Sequence, residues 1–125
     1  MATLADLVEK LDLEVRSARG NLDNEVAGGY ASDLLSDVIA NSREGDVWVT
    51  LQIHQNVVAV ASMKDLAGII LVGGREPEED TLQKAETEGI PIMVSKRPTF
   101  ELVGILYGLG VRGARAENAK EPGKN

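Results

Sequence analysis

Cysteine is absent from the sequence. That excludes a disulfide framework, a thiolate metal site and a cysteine nucleophile. Histidine occurs once, at His54, and without cysteine beside it no typical structural zinc site can be assembled. Tyr30, Trp48, Phe100 and Tyr107 are the whole aromatic set, too few and too scattered for a base-stacking platform. No apolar run approaches the roughly eighteen residues of a membrane span. The opening MATLADLVEK carries three charges in ten residues and does not read as a signal peptide. Basic residues are outnumbered, 13 to 20, for a formal net charge of −7 and a pI near 4.7. This balance argues against non-specific nucleic-acid binding. The densest basic stretch, Arg112, Arg115, Lys120 and Lys124, is diluted by Glu117 and Glu121. We therefore expect a cytoplasmic protein with no membrane or nucleic-acid partner.

What is present is aliphatic. Of the 125 residues 43% are hydrophobic, mostly Leu, Val, Ile and Ala. That suffices for one domain with a real core. Thr3, with Asp6 three residues on, predicts a capped helix whose Leu4, Leu7, Val8 and Leu11 form one stripe. Residues 13–18 alternate and predict a strand. Residues 19–29 read as a loop broken by Gly28-Gly29, and 31–42 as a helix. Residues 46–53 predict a strand. Residues 57–63, VVAVASM, fit a strand or a helix by period. Asn56 as N-cap and the frequent alanine favour the helix. The unbroken GIILV at 68–72 has the pattern of a central parallel strand. Pro77 and the acids Glu78, Glu79 and Asp80 then open a helix that Gly89 stops, residues 90–94 form a strand, and Pro98-Thr99 start a last helix running to 109.

This alternation predicts an α/β fold: three layers, with a mostly parallel sheet of four to five strands flanked by helices. The domain is expected over 1–111, with 112–125 a polar, disordered tail. Ligands of open α/β sheets bind outside the strand C-termini. The loops there hold Gln52, His54, Asn56, Gly73, Gly74, Arg75, Ser95 and Lys96.

None of these residues forms a familiar catalytic motif. Gly28-Gly29, followed by Tyr30, could be an anion-binding nest or a tight turn. No Walker-type or dinucleotide-binding glycine pattern is present. Gly73-Gly74-Arg75 allows close backbone approach beside a cation that suits phosphate or carboxylate. No Ser, Asp or Glu stands at a spacing that would make His54 part of a triad. The carboxylates Asp23, Glu25, Asp33 and Asp37 fix no complete metal ligand set. No metal or cofactor is expected.

Three segments together, LDNEVAGGYASDLLSDV (22–38), GDVWVTLQIHQNVVAVASMKDLAGIILVGG (45–74) and EGIPIMVSKRPTFELVGILY (88–107), resemble the DRTGG-domain family. The counterpart of the name motif is Asp23-Asn24-Glu25-Val26-Ala27-Gly28-Gly29. It keeps an acid and the paired glycines but lacks the Asp-Arg start and the Thr. The resemblance implies a small α/β module like those within phosphotransacetylases and CBS-containing pyrophosphatases, or the N-terminal domain of HPr kinase/phosphorylase. It implies a regulatory or structural role and frequent self-pairing.

The expected function is thus a non-enzymatic regulatory or interaction module. It would bind a small anionic or nucleotide-like ligand at the strand C-terminal loops, or another protein. The alternative is a small enzyme acting on a phosphorylated metabolite through His54 and Arg75. A homodimer is expected through a second apolar stripe on the last helix, Leu102, Ile105 and Leu109.

Overall fold

Thr3 begins the first helix as the sequence predicts. Its hydroxyl accepts from the Asp6 N–H, and the Asp6 carboxylate accepts from the Thr3 N–H at 2.9 Å. In this structure, a computed structural model that describes residues 1–113, the resulting helix α1 is Leu4–Leu11. It is followed by β1 (Glu14–Val15), β2 (Gly28–Ala31), α2 (Leu35–Asn41), β3 (Asp46–Thr50), α3 (Asn56–Met63), β4 (Gly68–Leu71), α4 (Glu79–Glu88), β5 (Ile92–Val94) and α5 (Thr99–Gly108). A short 3-10 turn, Arg19–Asn21, lies between β1 and β2.

The five strands form one sheet in the order β1-β5-β4-β3-β2. Strands β2 to β5 are parallel neighbours, and β1 pairs antiparallel with β5. Alternation along the strands sorts the core into two halves. Val47, Val49, Ile70, Val72 and Met93 pack with Leu4, Leu7 and Leu11 of α1 and Leu102 and Leu106 of α5. Trp48, Ile69, Leu71, Ile92 and Val94 pack on the opposite face with α2, α3 and α4. The structure is therefore the expected three-layer α/β fold. Parallel strands laid down one beside the next keep their crossovers on one face, so α2, α3 and α4 share a layer. Each fully buried aliphatic side chain contributes about 1.5–3 kcal/mol, and both sheet faces use this term.

Residues 57–63 are helical. The helix lies between α2 and α4, which explains why Val57, Val58, Val60 and Ala61 are all buried. Asn56 is not its cap: Gln55 holds that position, without a side-chain bond, and Asn56 is the first helical residue.

Other expectations need correction. Gly28-Gly29 is neither turn nor nest but the start of β2. A Cβ on Gly29 would stand 3.1 Å from Val111 Cγ1, so glycine serves close packing there. The strand expected over 13–18 is shorter. The Ser17 hydroxyl takes over the pairing, donating to the Ile90 carbonyl at 2.8 Å and accepting from the Ile92 N–H at 2.9 Å. Ala18, at φ 50, then turns the chain away. The helix expected from 31 starts at Leu35, because Leu34 is extended. β3 stops at Thr50, since the next N–H, of Leu51, donates to the Asp33 carboxylate at 2.7 Å. Of the expected tail, Arg112 and Gly113 run beside β2, where the Gly29 N–H donates to the Arg112 carbonyl at 2.9 Å. The rest of it, 114–125, lies outside the described residues.

Candidate functional site

Beyond Leu71 the chain turns through Gly73 and Gly74 toward α4. Beyond Val94 it turns through Ser95, Lys96 and Arg97 toward α5. These two helices cover opposite faces of the sheet, so neighbouring strands β4 and β5 send their exits in opposite directions. Such a divergence is where open α/β sheets place a ligand crevice. Here the two exits are stitched together. The Gly73 N–H donates to the Arg97 carbonyl and the Gly74 N–H to the Ser95 carbonyl, both at 2.8 Å. Both glycines have positive φ, 67° and 70°, a backbone shape that suits glycine and aims these donors inward. They are thus spent on the β5 exit and form no open anion nest. Ser95 is buried, and its hydroxyl accepts from the Arg97 N–H at 3.1 Å. Arg97 Nη1 donates to the Leu11 carbonyl at 2.6 Å, tying this exit to the end of α1.

Beside the stitch, toward β1, is a cleft of about 390 Å³, within the range of small-molecule sites. Its lining is Asp12, Glu14, Gly74, Glu76, Val94, Lys96 and Arg97. Arg16 stands beside two of these carboxylates. Its Nε and Nη2 donate to the two Glu76 oxygens at 2.7 and 2.9 Å, and Nη2 also reaches Glu14 at 2.7 Å. The Arg16 bonds hold the Glu76 carboxyl below its ordinary value, and both carboxylates strengthen the charged form of Arg16. Among the described residues Lys96 has no ion pair.

The sequence-predicted site residues fall into three places. Gly74 lines the cleft, with Gly73 and Ser95 in its stitch and Arg75 exposed on the same loop. Gln52, His54 and Asn56 follow β3. Gln52 Nε2 donates to the Asp33 carbonyl at 3.0 Å. His54 Nδ1 lies 2.8 Å from Glu78 Oε1, both side chains exposed, and Asn56 is exposed at the start of α3. Neither His54 nor Arg75 lines the cleft. Gly28, Gly29 and Tyr30 belong to the far edge. Gly28 lies opposite Asp46 at the other end of the sheet. The Tyr30 hydroxyl donates to Asp37 Oδ2 at 2.8 Å and, with Asn41, keeps that carboxyl below its ordinary value. Among the described residues no group of three or more His, Asp or Glu side chains could hold a metal ion. No helix among them is long and apolar enough to cross a membrane.

Sequence reasoning missed Asp12, Glu14, Arg16, Glu76 and Arg97. A signal existed for two of them: the alternation of residues 13–18 buries Leu13, Val15 and Ser17 and turns Glu14 and Arg16 outward. For the interface stripe, Leu102 is fully buried in the core and cannot belong to it, whereas Ile105 and Leu109 are 37% and 40% exposed.

No curated protein matches the sequence. Among solved structures, the chain is similar to the CBS and DRTGG domains of the regulatory region of Clostridium perfringens pyrophosphatase, in complex with the activator diadenosine tetraphosphate. The TM-score is 0.68 at 13% identity, over 83% of this chain and 45% of that one. This likeness concerns the fold, and the chain spans less than half of its neighbour. The DRTGG domain family model matches residues 6–109, most of the five-stranded unit described above, and the chain belongs to the DRTGG-domain family.

Proposed function

We propose that this protein is a non-enzymatic, cytoplasmic regulatory module whose effector site is the cleft at the diverging exits of β4 and β5. The observation that carries this reading is the coincidence of that divergence with a ligand-sized cleft and an unpaired Lys96. A family relative that sits in the regulatory region of an enzyme, in a complex with an activator, supports the regulatory half. The alternative enzyme finds less support, because His54 is engaged with Glu78 and neither it nor Arg75 enters the cleft.

Calorimetry of the full chain against phosphate, pyrophosphate, acyl phosphates and nucleotides tests the site. Saturable heat is expected with at least one of them, with affinity about ten-fold weaker in Lys96→Ala, the cost of one charge-assisted hydrogen bond. Silence across the panel would overturn the ligand reading and leave a protein partner.

The same reading includes a homodimer through α5. That helix leaves Phe100 86% exposed, and Ile105, Tyr107 and Leu109 are exposed as well. Gly104 and Gly108, four residues apart on this side, have open space around them. A second copy would cover an apolar patch of this kind. Light scattering coupled to size exclusion is expected to give twice 13.4 kDa, and Ile105→Asp to halve it with an unchanged α/β spectrum. A monomer at high concentration would sink the proposal.

A further inference from the structure

Phe100, in the first turn of α5, is 86% exposed, and an apolar ring left in water forgoes the gain of burial. The same helix carries the reverse feature. Val103 and Tyr107 follow Phe100 at i+3 and i+7, so the three share one flank of α5. Val103 and Tyr107, with Leu106 and Val111, line the recess of about 90 Å³ that also touches Ala31 of β2 and Val49 of β3. That volume is well under the roughly 300 Å³ at which small-molecule sites begin, and it suits a single side chain. An apolar recess offers a water molecule few partners. The chain thus holds an uncovered aromatic ring and an apolar recess on one flank of one helix.

A second copy supplies both halves at once, because in a two-fold contact each side meets the other's counterpart and the same pair forms twice. The geometry of α5 is compatible with this. Two copies of the helix laid antiparallel exchange positions about the axis that relates them. For Phe100 to reach residues 103 and 107 of the other copy, that axis has to cross α5 near Gly104. Phe100 then lies about 6 Å to one side of the axis, level with position 108 of the other copy and next to the Tyr107 that lines the recess. At Gly104 no side chain holds two helices apart, and nothing stands within 4 Å of where a Cβ would be. Glu101 is the single charged residue of α5, so the repulsion between two chains of −7 each is not concentrated on this helix.

From these features we infer that the homodimer is locked by reciprocal insertion, with Phe100 of each copy entering the recess between α5 and β2 of the other. This deepens the homodimer reading above and rests on it.

Two variants and their mixture test the inference by sedimentation velocity over a dilution series of the full chain. Phe100→Ala removes the ring, and Ala31→Leu fills the recess from its own chain. Both positions are exposed, and circular dichroism is expected to show an unchanged α/β fold. Each variant alone loses both insertions, and its dimer is expected to dissociate about a hundred-fold more readily than wild type. An equimolar mixture is expected to regain dimer, because the Phe100 kept by one variant meets the recess left open in the other. A Phe100→Ala dimer as tight as wild type, or no recovery on mixing, would overturn the inference alone and leave a homodimer built on other contacts. A wild-type chain that stays monomeric at high concentration overturns both it and the homodimer reading.

Discussion

The sheet has two edges, and they are guarded in different ways. At β1 the edge is two residues long and antiparallel, and its flank carries the Glu14–Arg16–Glu76 ion pairs. At β2 the edge is four residues long and parallel. There the chain leaving α5 lies alongside, held by the bond between Gly29 N–H and the Arg112 carbonyl. Arg112 in turn stacks 3.7 Å above the Tyr107 ring and donates to the Tyr107 carbonyl at 2.6 Å. Both are known answers to the exposure of an edge: charge on a short strand, or a covering segment. The lesson is that charge protects an edge while leaving it open to a ligand, whereas cover protects it by closing it. The cleft of about 390 Å³ lies at the charged edge. The covered edge has an apolar recess of about 90 Å³ between Gly29 and α5.

The largest effect should come from spoiling the covered edge. Gly29→Val forces carbon into a space already occupied at 3.1 Å by Val111 and 3.7 Å by Val47. We expect a loss of about 2 kcal/mol, seen as a lower urea midpoint, together with proteolytic cleavage near residue 111. Arg16→Ala at the charged edge should cost only about 0.5–1 kcal/mol at low salt, and less at high salt. A loss equal to that of Gly29→Val would erase the distinction between the edges.

Acid sharpens the contrast. Arg16 lowers the Glu76 carboxyl in the folded state. Its stabilisation is therefore present above the ordinary carboxylate value and is lost as pH falls through the lowered folded one. Denaturant titrations from neutral pH to below 4 should show this slope in wild type and Gly29→Val but a shallower one in Arg16→Ala.

The smallest effect concerns Asp46, opposite Gly28. Burial raises its carboxyl above the ordinary value despite the bond from the Arg43 N–H. Its folded value being raised, stability falls as pH rises through it. Asp46→Asn keeps an acceptor and removes the charge. It should be neutral or stabilising by about 0.5 kcal/mol at pH 7. A clear destabilisation would show that the charge itself is needed.

The legible parts of the fold were those whose signal is local. The stripe of α1 follows from a period, the strand at 46–53 from its β-branched and aromatic residues, β4 from the unbroken GIILV, and α3 from its alanines. β2 was hidden because Gly28-Gly29 has no strand propensity; Gly29 answers to Val111, more than eighty positions away. The site divides in the same way. Gly74 and Ser95 were legible, because a strand's end predicts a rim. The Arg16–Glu76 pair joins positions 60 apart, and Arg97 reaches Leu11 across 86. No spacing rule reaches that far. Leu102 was misassigned because on α5, apolar nearly all round, periodicity does not say which stripe faces the sheet; Phe100, left out of the stripe, is the most exposed large hydrophobic there.

The two bonds that stitch Gly73 to Arg97 and Gly74 to Ser95 have a consequence for amide exchange with solvent. Both glycines are exposed by surface area, and loop amides of that kind ordinarily lose their protons quickly. These two point inward to carbonyls of another strand's exit, so they should exchange only when β4 and β5 part at that end. Their deuterium uptake is thus a clock for the opening of the rim. An occupant that wedges the exits apart would speed it, and one that bridges them would slow it.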